Sequence, residues 1–340
     1  MKPLSDLLSS GELISWALDI DLCSEKLGST ETINGIQYSL VEEGILLLKP
    51  TQSVAAHICL SCGVHGNETA PIELVEELFK QILNGQLELN CQLLIVIGNQ
   101  PAMKRNTRFC DENLNRLFKR PEATHVNLET ERASKIMASV DDFFNEAESS
   151  IKIHLDLHTA IRGSNYEKFA IYPFQKSGNW QTEPMAWLSN AGIEAVLLAN
   201  KTSGTFSCYT DHYHQAIGFT VELGKARAFG ENDHSTLTAF KSALIELLNT
   251  PKLIVKNNYQ LSGVVFNVVD EVMKHSESDF ELNLADDFSN FSTLENGYQL
   301  TIDGDNSYFI EGDDKAIVFP NKNVPQGQRV ALVVEPKAQN

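Results

Sequence analysis

Val54-Ala55-Ala56-His57-Ile58-Cys59-Leu60-Ser61-Cys62-Gly63-Val64-His65-Gly66-Asn67-Glu68-Thr69-Ala70-Pro71 sets the architecture of this chain. Residues 54–62 form an apolar run, the pattern of a strand buried on both faces of a sheet. Gly63 and Gly66 then mark a turn, and a helical pattern follows to about residue 83. Pro71 suits the first turn of that helix, and Gly85 is a natural stop. Ile72, Val75, Leu78, Phe79 and Ile82 recur at helical spacing and supply its buried stripe.

The same strand–turn–helix grammar continues outward. Upstream, residues 5–18 read as a short amphipathic helix, and residues 35–49 as extended strands interrupted by a turn at Glu43-Gly44. Downstream come a buried strand at 92–98, a helix at 130–148 and a strand at 151–157 ending at His158. A short helix around 184–190, a strand at 194–198 and a strand at 217–223 follow. A helix over about 235–249 carries Leu237, Phe240, Leu244, Leu247 and Leu248 at core spacing. This alternation predicts an α/β fold, a mixed central sheet flanked by helices. Helical patterning stops at Pro251, and short β-like runs at 263–269, 316–319 and 329–334 lie between Gly, Asn and Asp turns. The expected division is therefore a catalytic α/β domain over 1–254 and a small, mostly β domain over 255–340.

The formal net charge of -18 over 340 residues disfavours nucleic acid and anionic membranes as partners. Acidic residues at Asp141-Asp142, Glu146, Glu148 and along 277–287 read as solvated surface. The six cysteines, Cys23, Cys59, Cys62, Cys91, Cys110 and Cys208, do not imply a disulfide framework in a chain this long. Cys59 and Cys62 have the spacing of a redox or zinc pair, but the alternation around Leu60 and the lack of a second pair speak for buried thiols. The first residues lack the apolar core of a signal peptide, and no run reaches the roughly 18 apolar residues of a membrane span. The expected location is the cytoplasm.

His65 and Glu68 share one strand-to-helix turn, and His158 ends another expected strand, where a sheet presents functional residues to a crevice. Two His and one Glu suit a catalytic zinc with a position left for water. Glu222 ends a strand among Phe219, Val221 and Leu223. A partly desolvated carboxylate there would have a raised pKa, which suits proton transfer. Taken singly, His-x-x-Glu reads more readily as turn and helix-start chemistry, and His158 could be a hydrogen-bonded core residue. The joint placement after strands is what points to a metal site.

Three motifs, His65-Gly66-Asn67-Glu68, Asn113-Leu114-Asn115-Arg116 and Asp156-Leu157-His158-Thr159-Ala160, resemble the succinylglutamate desuccinylase and aspartoacylase family in order and spacing. The resemblance spans about residues 45–250, and the β-rich tail fits the family layout. It implies a zinc carboxypeptidase-like fold and one Zn2+ per subunit held by His65, Glu68 and His158. It implies Glu222 as general base, Arg108 as the group that polarises the scissile carbonyl, and Asn115 with Arg116 as the holders of a substrate carboxylate. A cationic cluster of Lys104, Arg105, Arg108 and Arg116 lets an acidic protein focus an anionic N-acyl-amino acid.

Residues 156–164 and 222–227 resemble the desuccinylase branch. The reaction implied is hydrolysis of N-succinyl-L-glutamate to succinate and L-glutamate, in arginine degradation by the succinyltransferase route. Arg162, Lys225 and Arg227 are candidates for the far carboxylate, with pairing to nearby acidic residues as the equal alternative. An N-acetylaspartate hydrolase, a metallocarboxypeptidase and a non-catalytic zinc-binding protein are the competing readings. A homo-oligomer is compatible with all of them. One stretch, Asn99-Gln100-Pro101-Ala102, departs from the Asn-Pro-small pattern of the family and alters a loop near the basic cluster.

Overall fold

The computed structural model describes residues 4–19, 27–54, 56–147 and 150–338. Cys23 and Glu148 lie outside the described residues. The helix expected over 5–18 is two helices, α1 (Leu4–Ser10) and α2 (Leu13–Leu18), because Gly11 adopts φ +70° between them. That left-handed conformation ends a helix at low cost only for glycine. Strands β1 (Thr30–Ile33), β2 (Ile36–Glu42) and β3 (Ile45–Pro50) pair antiparallel in sequence order. Then come β4 (Ala56–Cys62), α3 (Ala70–Leu83), β5 (Gln92–Ile97), α4 (Gln100–Lys104) and α5 (Leu128–Asn145).

The chain continues through β6 (Ile151–Ala160), β7 (Lys168–Tyr172), α6 (Thr182–Asn190) and β8 (Ala195–Leu198). Next are α7 (Phe206–His214), β9 (Ile217–Lys225) and α8 (Thr238–Asn249). Neither β7 nor α7 was expected from the sequence. β7 is only five residues long, and α7, Phe-Ser-Cys-Tyr-Thr-Asp-His-Tyr-His, has almost no aliphatic stripe to mark its buried face. The helical layers end at α8 and a 3-10 turn, Pro251–Ile254. Beyond lie β10 (Val264–Met273), β11 (Glu281–Leu282), β12 (Ser292–Leu294), β13 (Thr301–Ile302), β14 (Lys315–Val318) and β15 (Arg329–Pro336).

Thirteen strands make one sheet in the order β1-β2-β3-β5-β4-β6-β9-β7-β8-β10-β15-β14-β12. Its centre is parallel, β5-β4-β6-β9, and β7 lies antiparallel to β9, so the sheet is mixed. Most of the β-rich C-terminal segment extends this sheet, while β11 and β13 pair in a separate two-stranded one. β10 pairs in parallel with β8, from Val264 opposite Ala195 to Asn267 opposite Leu198. Phe169, Ala195 and Leu197 share a core cluster with Phe266, Phe291, Ala316 and Val334, which cements the junction.

On one face of the sheet α1, α2, α3, α6 and α8 bury Trp16, Phe79, Trp187 and Phe240. On the other, α5 and α7 bury Ile136, Phe144, Phe206 and Tyr209. Strand alternation splits β4 between the two cores, with Ile58, Leu60 and Cys62 toward the first and Cys59 toward the second. Cys59 and Cys62 therefore face opposite layers, and the spacing that suggested a pair has no structural counterpart. No helix among the described residues is long and apolar enough to cross a membrane.

Candidate metal centre and active site

β4 delivers the chain into the turn that carries His65 and Glu68, and β6 and β9 run beside it. His158 and Glu222 are Cα partners across the β6–β9 ladder. Both strands run past the ends expected from the sequence, to Ala160 and Lys225, with an irregular register between His158 and Ala160. Such irregularities re-aim side chains at strand ends. The turn itself depends on Gly66, since a Cβ there would stand 2.2 Å from backbone atoms of Ala102 and Met103 in α4. The Gly66 N–H also donates to the Arg108 carbonyl at 3.2 Å, tying the turn to the loop that bears the arginine.

Ligand atoms of His65, Glu68 and His158 all lie within 4.8 Å of one another, and each residue is buried. The Nδ1 atoms of His65 and His158 each approach a Glu68 oxygen, Oε1 and Oε2 respectively, at 2.9 Å. The opposite ring nitrogens have acceptors: His65 Nε2 meets Asn113 Oδ1 at 3.0 Å, and His158 Nε2 meets Asp156 Oδ2 at 2.9 Å. With Nε2 carrying the proton in each neutral ring, both Nδ1 lone pairs point at a carboxylate. Three electron-pair donors facing one another need a proton or a cation between them. This donor set fits a divalent metal.

Electrostatics follow from that arrangement. Burial and the neighbouring Arg108 lower the His65 pKa to about 4. Burial opposes charge on His158, but Asp156 and Glu68 outweigh it and hold its pKa well above the usual value. Burial likewise opposes charge on Glu68, and His65, Arg108 and His158 overcome it, so the carboxyl stays well below its usual range. At Glu222 the balance runs the other way, because the pull of His158 and Arg108 is outweighed. Burial first, then the Glu68 charge, push it up to about 7. Its Oε2 is buried with no hydrogen-bond partner among the described residues.

The expected substrate-side residues are distributed unevenly. Arg108 donates from Nη1 to Glu68 Oε1 at 2.6 Å, so it stands at the centre. Asn115 is buried with Nδ2 3.3 Å from His158 Nε2, and its Oδ1 accepts the Phe206 N–H at 2.8 Å. Arg116 is solvent-exposed and donates to the Asn115 carbonyl at 2.7 Å. Surrounding protein, Arg329 and Arg108 lower its pKa to about 9, with Glu271 opposing. Arg162 is brought elsewhere: its Nη1 donates to the carbonyls of Ala285 at 3.3 Å and Asp286 at 2.8 Å, latching β6 to the C-terminal segment. Lys225 is the exposed last residue of β9 and Arg227 is exposed just beyond it, and the Arg227 carbonyl accepts the Thr69 hydroxyl at 2.8 Å. Lys104 and Arg105 are also exposed.

Several positions escaped the sequence reading. Glu129 in α5 is fully buried and accepts N–H groups from Cys110 at 2.6 Å and Asp111 at 3.0 Å, and Asn99 Nδ2 at 2.9 Å. It anchors the loop that carries Arg108. Arg329, contributed by β15, lies 3.8 Å from Glu271, which also pairs with Lys201 at 3.2 Å. Nothing in local spacing marks either residue, since each acts across a long sequence separation. Gln100, the departure from the family pattern, donates to the Ala17 carbonyl at 2.7 Å and so faces α2.

Comparison with known proteins identifies the family. Residues 55–248 match the profile described as succinylglutamate desuccinylase/aspartoacylase catalytic domain, and residues 262–337 match the AstE/AspA barrel-sandwich hybrid domain. A succinylglutamate desuccinylase of Chromobacterium violaceum is 45% identical over 284 residues, covering 83% of this chain and 85% of the relative. The crystal structure of the succinylglutamate desuccinylase from Chromobacterium violaceum superposes with TM-score 0.82 at 38% identity, covering 97% of this chain and 99% of the other. The corresponding structure from Vibrio parahaemolyticus gives TM-score 0.85 at 33% identity, covering 95% and 94%. The mixed α/β sheet with a β-rich C-terminal domain is thus shared along nearly the whole chain. The chain belongs to the succinylglutamate desuccinylase/aspartoacylase family of hydrolases.

Proposed function

We propose that this chain is a zinc-dependent hydrolase that cleaves the amide bond of N-succinyl-L-glutamate to succinate and L-glutamate. The observation that carries the reading is the convergence of His65 Nδ1, Glu68 and His158 Nδ1 beside the unpartnered Glu222 Oε2. The desuccinylase relative at 45% identity supports the choice of substrate. The reaction would serve arginine degradation by the succinyltransferase route, in the cytoplasm. Residues 1–254 would carry the chemistry, and 255–340 would form the appended β domain.

His65, Glu68 and His158 hold the metal, and Asn113 and Asp156 fix the orientation of the two rings. Zinc in that site supplies a Lewis acid for the amide oxygen and makes water more acidic. Glu222 takes a proton from the attacking water onto Oε2 and returns it to the departing glutamate nitrogen as the C–N bond breaks. A carboxyl whose pKa is about 7 is matched to both steps near neutral pH. Arg108 keeps N–H groups beyond its bond to Glu68 and directs them to the developing oxyanion. Arg116 binds a substrate carboxylate through its planar guanidinium, with Asn115 holding the segment in place. Lys225 and Arg227 remain the candidates for the far carboxylate, since Arg162 is engaged with backbone carbonyls.

Hydrolysis measured side by side on N-succinyl-L-glutamate, N-succinyl-L-arginine, N-acetyl-L-glutamate and N-acetyl-L-aspartate tests the substrate assignment. The expected result is the highest kcat/KM on N-succinyl-L-glutamate, abolished by a chelator and restored by zinc. Equal or faster turnover of N-acetyl-L-aspartate would move the assignment to an N-acetylaspartate hydrolase. No turnover of any substrate by the zinc-loaded protein would favour a non-catalytic role.

A further inference from the structure

Behind His158 a chain of buried polar groups crosses the sheet. Asp156 presents Oδ2 to His158 Nε2 at 2.9 Å and Oδ1 to the Ser61 hydroxyl at 2.5 Å. Ser61 Oγ lies 2.9 Å from His154 Nε2, and His154 Nδ1 lies 2.8 Å from Thr210 Oγ1 in α7. Ser61, His154, Asp156 and Thr210 have no solvent exposure, so the network is fully buried.

Its direction follows from donor counting. Ser61 has a single hydroxyl proton, and Asp156 Oδ1 takes it. The Ser61–His154 bond must then run from His154 Nε2–H to Ser61 Oγ. A neutral His154 ring leaves Nδ1 as acceptor for the Thr210 hydroxyl, which also lies 3.1 Å from the Ser207 carbonyl. Each member thus sets the proton position of the next, and the series ends on Asp156. That carboxylate receives one donor on each oxygen, leaving it unable to rotate, and His158 is held with Nδ1 toward Glu68.

We propose that Ser61 and His154 are positioning residues for the metal centre: they lock Asp156, and through it the His158 ring, in the orientation that offers Nδ1 to zinc. The inference rests on the metal reading given above. A purely space-filling role for the same residues would affect folding stability without touching the metal.

The test uses Ser61→Ala, His154→Leu and His154→Gln, with Thr210→Val at the far end of the network. Zinc affinity is measured by chelator competition, and ligand geometry by the visible absorption of the Co2+-substituted protein, alongside thermal melting of the metal-free form. Ser61→Ala and His154→Leu should bind zinc about tenfold more weakly and shift the Co2+ band. His154→Gln retains a side-chain N–H for Ser61 and should recover most of the affinity. Thr210→Val preserves shape and should give a smaller loss in the same direction, so it carries the test if a larger change prevents folding. Wild-type affinity and an unshifted band in Ser61→Ala and Thr210→Val would overturn the proposal. Wild-type protein that binds no zinc would instead overturn the metal reading beneath it.

Discussion

Glu222→Gln is expected to lower kcat on N-succinyl-L-glutamate by roughly 100- to 10,000-fold, the range that general acid–base groups contribute, with zinc content unchanged. Glutamine keeps the shape of the side chain and removes its ability to accept and return a proton. The carboxyl lies next to His158 across the β6–β9 ladder, yet its Oε2 has no partner among the described residues, as expected of a group kept for substrate. A stability signature accompanies the loss. Burial and Glu68 raise the Glu222 pKa from 4.5 to about 7 in the metal-free protein. A carboxyl raised on folding contributes stability that is fully present below its unfolded value and is lost as pH rises through the folded one. Glutamine never ionises, so the metal-free variant should melt above the wild type at pH 8, and the difference should shrink toward pH 4.5. Loss of zinc from the variant would mean that Glu222 is a ligand and would remove it from the role of base.

His158→Ala should eliminate measurable turnover and weaken zinc binding beyond the roughly 10–100-fold that loss of an outer hydrogen-bond partner costs. It should also destabilise the metal-free protein more than His65→Ala does. His158 sits between Asp156 and Glu68, which raise its pKa well above the usual value. Its contribution is present below the unfolded pKa and is lost only as pH rises through the raised folded value, so it persists at pH 7. Removing it strands two buried carboxylates, a change worth about 3–5 kcal/mol when a buried ion pair is broken. His65, lowered to about 4, is neutral at pH 7, and its loss costs mainly hydrogen bonds, about 1–3 kcal/mol. Urea unfolding of both variants in excess chelator makes the comparison. Equal destabilisation would show that His158 is not charged in the metal-free protein.

The residues proposed to hold the metal stand out in the sequence because they sit where a local pattern changes. A buried apolar run, a glycine turn and a helix start surround His65 and Glu68, and strand runs lead to His158 and Glu222. Periodicity placed β4, α3, β5 and β6, whose apolar residues repeat with clean spacing. It missed α7, whose buried side includes Ser207, Cys208 and Thr210, because those residues carry little hydrophobic contrast. It also placed a break after residue 254 but had no means of seeing that β10 joins β8, since strand pairing across 69 positions leaves no local trace. Arg162 shows the limit on side-chain roles. A cation two strand positions past Ala160 looks available for substrate, yet carbonyls from residues 285 and 286 claim it. Glu129 shows the converse: an ordinary surface-type residue in a helix became the buried anchor of the Arg108 loop.

Every proposed role depends on zinc sitting among His65, Glu68 and His158. An anomalous difference map collected at the zinc absorption edge, from crystals of protein purified without chelator, tests it most directly. The expected result is a single strong peak bonded by the Nδ1 atoms of His65 and His158 and by the Glu68 carboxylate, with Glu222 beside it but unbound. A peak held by other side chains, one bonded through the Nε2 atoms, or no peak in zinc-replete active protein would contradict it.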